Sequence, residues 1–111
     1  MKVITEKITI EELRESGKDF FDDMVKAVVD VELRIMAAGA GMHADAEYIL
    51  LDQGSKQENL WGINLLYDVP REEWIEFDSY INIRPRQNRS RIIQDHELCG
   101  EITNIVNELV E

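Results

Sequence analysis

Four of the seven arginines of this chain, Arg84, Arg86, Arg89 and Arg91, stand within eight consecutive positions. The formal net charge is −11 and that segment carries +4 with no acid, which leaves −15 for the rest of the chain. A guanidinium is a planar fork of donors matched to carboxylates and phosphates, and the interleaved Asn88 and Ser90 add neutral donors and acceptors. The chemistry this implies is capture of an anion. The competing reading is internal neutralisation by acids such as Glu76, Asp78 or Asp95. Exposed ion pairs are worth only about 0 to 1 kcal/mol each, so stability alone is a weak reason to cluster four arginines.

Just before the arginines, the segment Trp74 to Arg84 alternates. Ile75, Phe77, Ile81 and Ile83 share one side, while Glu76, Asp78, Tyr80, Asn82 and Arg84 form an unbroken polar row on the other. Such a row is either a solvated sheet face or the floor of a polar site. Asn64 extends that floor, and Gly62 leaves room beside it for a bound group. A second constellation, His43, Asp45 and Glu47, offers an imidazole and carboxylates at two-residue spacing. Together with Glu76 and Asp78, His43 and Asp45 would make an oxygen-rich site suited to Mg²⁺ or Mn²⁺. The plain alternative is a histidine at the start of a helix.

Two weaker motifs fail on context. Gly39-Ala40-Gly41-Met42-His43-Ala44 matches a dinucleotide fingerprint, but the chain reads antiparallel and is too short for a doubly wound sheet. Cys99, three residues after His96, borders an apolar helical stripe and reads as packing.

These residues need elements to hold them. Thr9-Ile10-Glu11-Glu12 is a capping box, and Leu13, Phe20, Met24 and Val28 continue an apolar stripe, so the pattern predicts a helix over 9–26. Alternation at Val29, Val31, Leu33 and Ile35 predicts a strand over 27–36, with a hairpin broken near Leu33-Arg34 as the alternative. Lys2 to Thr5 suits a short edge strand, and Ala44 to Asp52 a short helix stopped by Gly54. Leu60 to Tyr67 and Trp74 to Ile83 read as an antiparallel hairpin. Asp95 caps a closing helix over 95–110, whose stripe is Leu98, Ile102, Ile105, Val106 and Leu109. The expectation is one α+β domain over 1–111, a mainly antiparallel sheet of about four strands with helices packed on one face.

Composition bounds the setting. At 44% hydrophobic and 32% charged residues the chain is an ordered globular protein rather than a disordered acidic one. A single cysteine and a polar start, Met1-Lys2-Val3-Ile4-Thr5-Glu6, point to the cytoplasm rather than secretion. No apolar run is long enough for a membrane span, and a pI of about 4.5 argues against duplex nucleic acid. The size is compatible with a homodimer.

The chain resembles a family of small uncharacterised prokaryotic proteins classed as a domain of unknown function. The resemblance covers nearly the whole chain. It rests on Val28-Val29-Asp30-Val31-Glu32, His43-Ala44-Asp45-Ala46-Glu47, Gly54-Ser55-Lys56-Gln57, Leu60-Trp61-Gly62-Ile63-Asn64, Glu76-Phe77-Asp78-Ser79, Ile81-Asn82-Ile83-Arg84-Pro85 and Asn88-Arg89-Ser90. It implies a cytosolic bacterial or archaeal protein and assigns no functional residue. The leading expectation is therefore a small binding or interaction module with no cofactor, holding an anionic small molecule or an acidic protein segment at the arginine loop. The alternative is a Mg²⁺- or Mn²⁺-assisted hydrolase of phosphate esters.

Overall fold

The computed structural model describes all 111 residues, Met1–Glu111. Five antiparallel strands run β1 (Lys2–Ile4), β2 (Met24–Asp30), β3 (Ile35–Ala40), β4 (Leu60–Leu66) and β5 (Ile75–Glu76), in the sheet order β1-β3-β2-β4-β5. Three helices, α1 (Ile10–Gly17), α2 (His43–Asp52) and α3 (His96–Leu109), pack against them. The α+β architecture is as expected, with one more strand than the sequence pattern indicated.

Helix α1 opens on its capping box: the Thr9 hydroxyl accepts from the Glu12 amide at 3.1 Å, and the Glu12 carboxylate accepts from the Thr9 amide at 3.4 Å. It ends at Gly17, nine residues short of the expected Lys26. A Cβ on Gly39, whose φ is +96°, would stand 2.3 Å from the Ser16 carbonyl oxygen, so the end of α1 meets β3 backbone to backbone. The helical stripe was misleading because β2 is buried on both sides. Val25, Ala27 and Val29 face one core and Val28 the other, so the strand reads as an apolar run interrupted only by Lys26 rather than as an alternation.

The strand expected over 27–36 is the hairpin β2–β3. Asp30 closes it, its Oδ1 accepting from the Glu32 and Leu33 amides at 2.9 Å each, and Arg34 takes the left-handed conformation at φ 56°. The other oxygen, Oδ2, accepts from the Ser55 hydroxyl at 2.6 Å and ties the loop after α2 to the same turn. Between Ala38 and Ala40 the register slips at Gly39. That bulge turns Ala40 to the face opposite Ala38, which a regular strand would not do.

Helices cover both faces, not one. Leu13 of α1 and Ile102, Ile105, Val106 and Leu109 of α3 close over Ile4, Met36, Trp61, Ile63 and Leu65. On the other side Ala46 and Leu50 of α2 lie on Val28, Ala37, Ala40 and Leu60. The second helix finds a seat because alanines at 37 and 40 leave its backbone room to approach.

The largest departure is the expected strand 74–83. Only Ile75 and Glu76 pair with β4. Phe77 to Ser79 then pair with the returning chain, the Ile93 amide donating to the Phe77 carbonyl at 3.0 Å and the Ser79 amide to the Arg91 carbonyl at 3.1 Å. Tyr80–Asn82 form a 3₁₀ turn whose Ile81 amide is capped by the Ser79 hydroxyl at 3.2 Å. Gly62 permits this, since a Cβ there would stand 2.6 Å from the Ser79 Cβ. The room it leaves is filled by Ser79 and Ile81, not by a ligand.

Candidate functional site

Because β5 stops at Glu76, the outward peptide groups of Leu60 and Gly62 on β4 have no strand beside them. Side chains take its place. The buried Asn82 amide accepts from the Gly62 amide at 2.8 Å and donates to the Gly62 carbonyl at 2.9 Å, reproducing the pair of bonds a neighbouring strand would make. Arg84 donates to the Leu60 carbonyl and, at 3.0 Å, to the Glu58 carbonyl, and its guanidinium lies 3.7 Å from the centre of the Trp61 ring. Burial lowers the Arg84 pKa, partly offset by the Glu47 carboxylate.

Asn88 does the same for the loop itself. Its Nδ2 donates to the carbonyls of Asn82, Ser90 and Ile92 at 3.1, 2.7 and 3.0 Å, and its Oδ1 accepts from the Gln94 amide at 3.0 Å. The Ser90 hydroxyl accepts from the Ile92 amide at 3.0 Å. Arg91 forks onto Asp78 at 2.9 and 3.0 Å and lies 4.8 Å from the centre of the Tyr80 ring; its pKa is raised, chiefly by the hydrogen bonds to Asp78. Arg86 and Arg89 are exposed and in no ion pair. Of the six loop residues expected to hold an anion, Arg84, Asn88, Ser90 and Arg91 are thus committed to the protein's own groups.

Four of the five residues read from sequence as a polar floor, Asn64, Glu76, Asp78 and Tyr80, border one cleft. The register sets Lys26 of β2, Asn64 of β4 and Glu76 of β5 in one row across three strands, on the α2 face. With His43, Asp78, Tyr80 and Arg91 they line an open cleft of about 270 Å³. The Asn64 Nδ2 donates to the Glu76 carboxylate at 2.8 Å and to the Asp78 carbonyl at 3.3 Å, which fixes the orientation of the amide. Its Oδ1 is enclosed, next to the His43 ring. Asn82, the remaining member of the expected floor, is fully buried on Gly62 and does not line the cleft.

His43, the first residue of α2, donates from Nε2 to the Ile63 carbonyl at 2.9 Å, so Nε2 carries the proton and the neutral ring keeps Nδ1 as its basic nitrogen. Burial lowers its pKa, outweighing that hydrogen bond. Asp45 is exposed on the first turn of α2 and does not line the cleft. No group of three or more His, Cys, Asp or Glu side chains is placed to hold a metal ion, so the expected His43, Asp45, Glu76 and Asp78 set is not assembled. Cys99 is half-buried against the core, and burial raises its pKa, as suits a packing residue.

Lys26 was not singled out from sequence. The signal was there: a lone lysine inside Val25-Lys26-Ala27-Val28-Val29, a strand otherwise apolar on both sides.

A family described as protein of unknown function (DUF5674) matches residues 2–109. The chain belongs to that family. No curated protein and no solved structure matches it. No helix is long and apolar enough to cross a membrane.

Proposed function

We propose that this member of the family is a small-molecule binding module whose ligand enters the cleft over the Lys26–Asn64–Glu76 row and presents an anionic group to Lys26. The observation that carries this reading is Lys26, a cation with no carboxylate partner on the lining of an open cleft. Beside it Asn64 is held in place, its Nδ2 committed to two acceptors and its Oδ1 enclosed next to the His43 ring. Arg91, anchored by Asp78, forms a fixed wall rather than a free anion hook.

This shifts the expected anion site from the loop tip to the cleft and leaves Arg86 and Arg89 for an acidic protein segment. The geometry favours this over a metal-assisted hydrolase, because Asp45 is exposed on α2 and does not line the cleft with His43, Glu76 and Asp78. A prokaryotic, cytosolic setting belongs to the proposal, on the family resemblance, the single cysteine and the acidic composition.

The test is an NMR titration of the ¹⁵N-labelled protein with sodium phosphate and with a panel of small carboxylic acids. Shifts should cluster on Lys26, Asn64, Glu76 and Tyr80, and Lys26→Met should weaken binding by on the order of 1.5 to 3 kcal/mol, the worth of a charged hydrogen bond. Shifts confined to Arg86 and Arg89 would return the site to the loop tip.

A further inference from the structure

The cleft has a second, apolar lobe of about 170 Å³, walled by Met42, Ala44, Tyr80 and Ile81 and joined to the first through Lys26 and His43. Tyr80 and Met42 are 74% and 63% exposed, two large apolar side chains left in water at its lip. In the polar lobe Asp78 and Arg91 cancel each other, which leaves Lys26 and Glu76 as one cation and one anion, neither in an ion pair. Their backbones sit two strand spacings apart, roughly 10 Å, on either side of Asn64. A ligand complementary to this row carries a positive group for Glu76, a negative group for Lys26, and an apolar body for the adjoining lobe.

Resting on the binding reading above, we infer that the cleft takes a free α-amino acid with an apolar or aromatic side chain. Its ammonium meets the Glu76 carboxylate, its carboxylate meets the Lys26 ammonium, and its side chain lies between Met42 and Tyr80. An α-amino acid places both charges on one carbon next to an apolar branch, which matches three adjacent features of the site. A phosphate or a simple carboxylate uses Lys26 alone and leaves Glu76 facing no cation. Aromatic side chains gain further from the Tyr80 ring, which Arg91 stiffens from one side.

The experiment compares four probes on the intact chain by calorimetry and ¹⁵N shifts: L-phenylalanine, 3-phenylpropionate, phenethylamine and inorganic phosphate. L-Phenylalanine should bind at least tenfold more tightly than each of the other three, with shifts on Lys26, Glu76 and Tyr80. Glu76→Gln should reduce L-phenylalanine affinity about tenfold and should not weaken 3-phenylpropionate, whose carboxylate loses a like charge beside it, while Lys26→Met weakens both and Tyr80→Ala weakens only the aromatic probes. If 3-phenylpropionate or phosphate binds the cleft as tightly as L-phenylalanine, the amino-acid inference is overturned and the anion-binding reading stands. If no probe shifts any cleft residue, both fall.

Discussion

The two faces of this sheet are closed by different physics. The α1/α3 face buries 18 residues in one apolar cluster, and its stability is a matter of volume and packing. The α2 face buries six, four of them alanine or valine, and relies on side-chain amides and a guanidinium to finish the edge of β4. Polar residues on the second face are therefore of two kinds. Asn82, Arg84 and Asn88 stand in for backbone, whereas Lys26 and Glu76 line a cleft and are in no ion pair. Clustered polar residues mark a ligand site only after the peptide groups they serve have been counted.

The sharpest way to break this comparison is to remove the backbone substitute. Asn82→Ala should destabilise as much as a core truncation, since it strands the Gly62 amide and carbonyl at about 1 to 3 kcal/mol each. Ile105→Ala on the opposite face should cost roughly 2 to 5 kcal/mol. Urea denaturation of both variants tests the equivalence, and an Asn82→Ala loss below about 1 kcal/mol would show that the edge needs no closure. Asn82→Asp should be nearly as damaging as Asn82→Ala, because it keeps an acceptor for the Gly62 amide but faces the Gly62 carbonyl with a second oxygen.

Within the arginine loop a smaller contrast is expected. Arg84→Ala should lower stability by about 1.5 to 3 kcal/mol through two lost charged donors, while Arg86→Ala and Arg89→Ala should each stay within about 0.5 kcal/mol of the parent. Equal effects at all four arginines would refute the division into anchored and free members.

Two pH measurements sharpen the picture further. His43 has a pKa below its ordinary 6.5 because the folded state resists charging it. The unfolded chain binds that proton more readily, so the His43 contribution is intact above about pH 6.5 and is lost as pH falls toward its folded pKa. His43→Asn should flatten that acid-side decline in melting temperature. Glu47 has the opposite sign: its pKa is raised, chiefly by burial, so stability declines as pH climbs from 4.5 through the raised value. The smallest effect is spectroscopic. Burial pushes the Tyr67 pKa up to about 12, and an ultraviolet absorbance titration should show a tyrosine step there that Tyr67→Phe removes.

What the sequence determined by itself was whatever depends on near neighbours along the chain. The Thr9–Glu12 capping box starts α1, Asp95 caps α3 with bonds to the Glu97 and Leu98 amides, and Gly54 follows α2 with a φ of 104°. Each is decided within four residues. The apolar stripe of α3 was legible because only one of its faces is buried. Tertiary structure alone decided where α1 ends, because the contact that stops it pairs Ser16 with Gly39. It alone decided that α2 covers a second face, and that Trp74 to Arg84 leaves the sheet after Glu76. An alternating pattern specifies which side chains are apolar but not how many peptide bonds find a neighbouring strand. Whether Asn82 and Arg84 face a ligand or a backbone depends on where β5 stops, and that is set by Ser79 settling onto Gly62, 17 residues away in the chain.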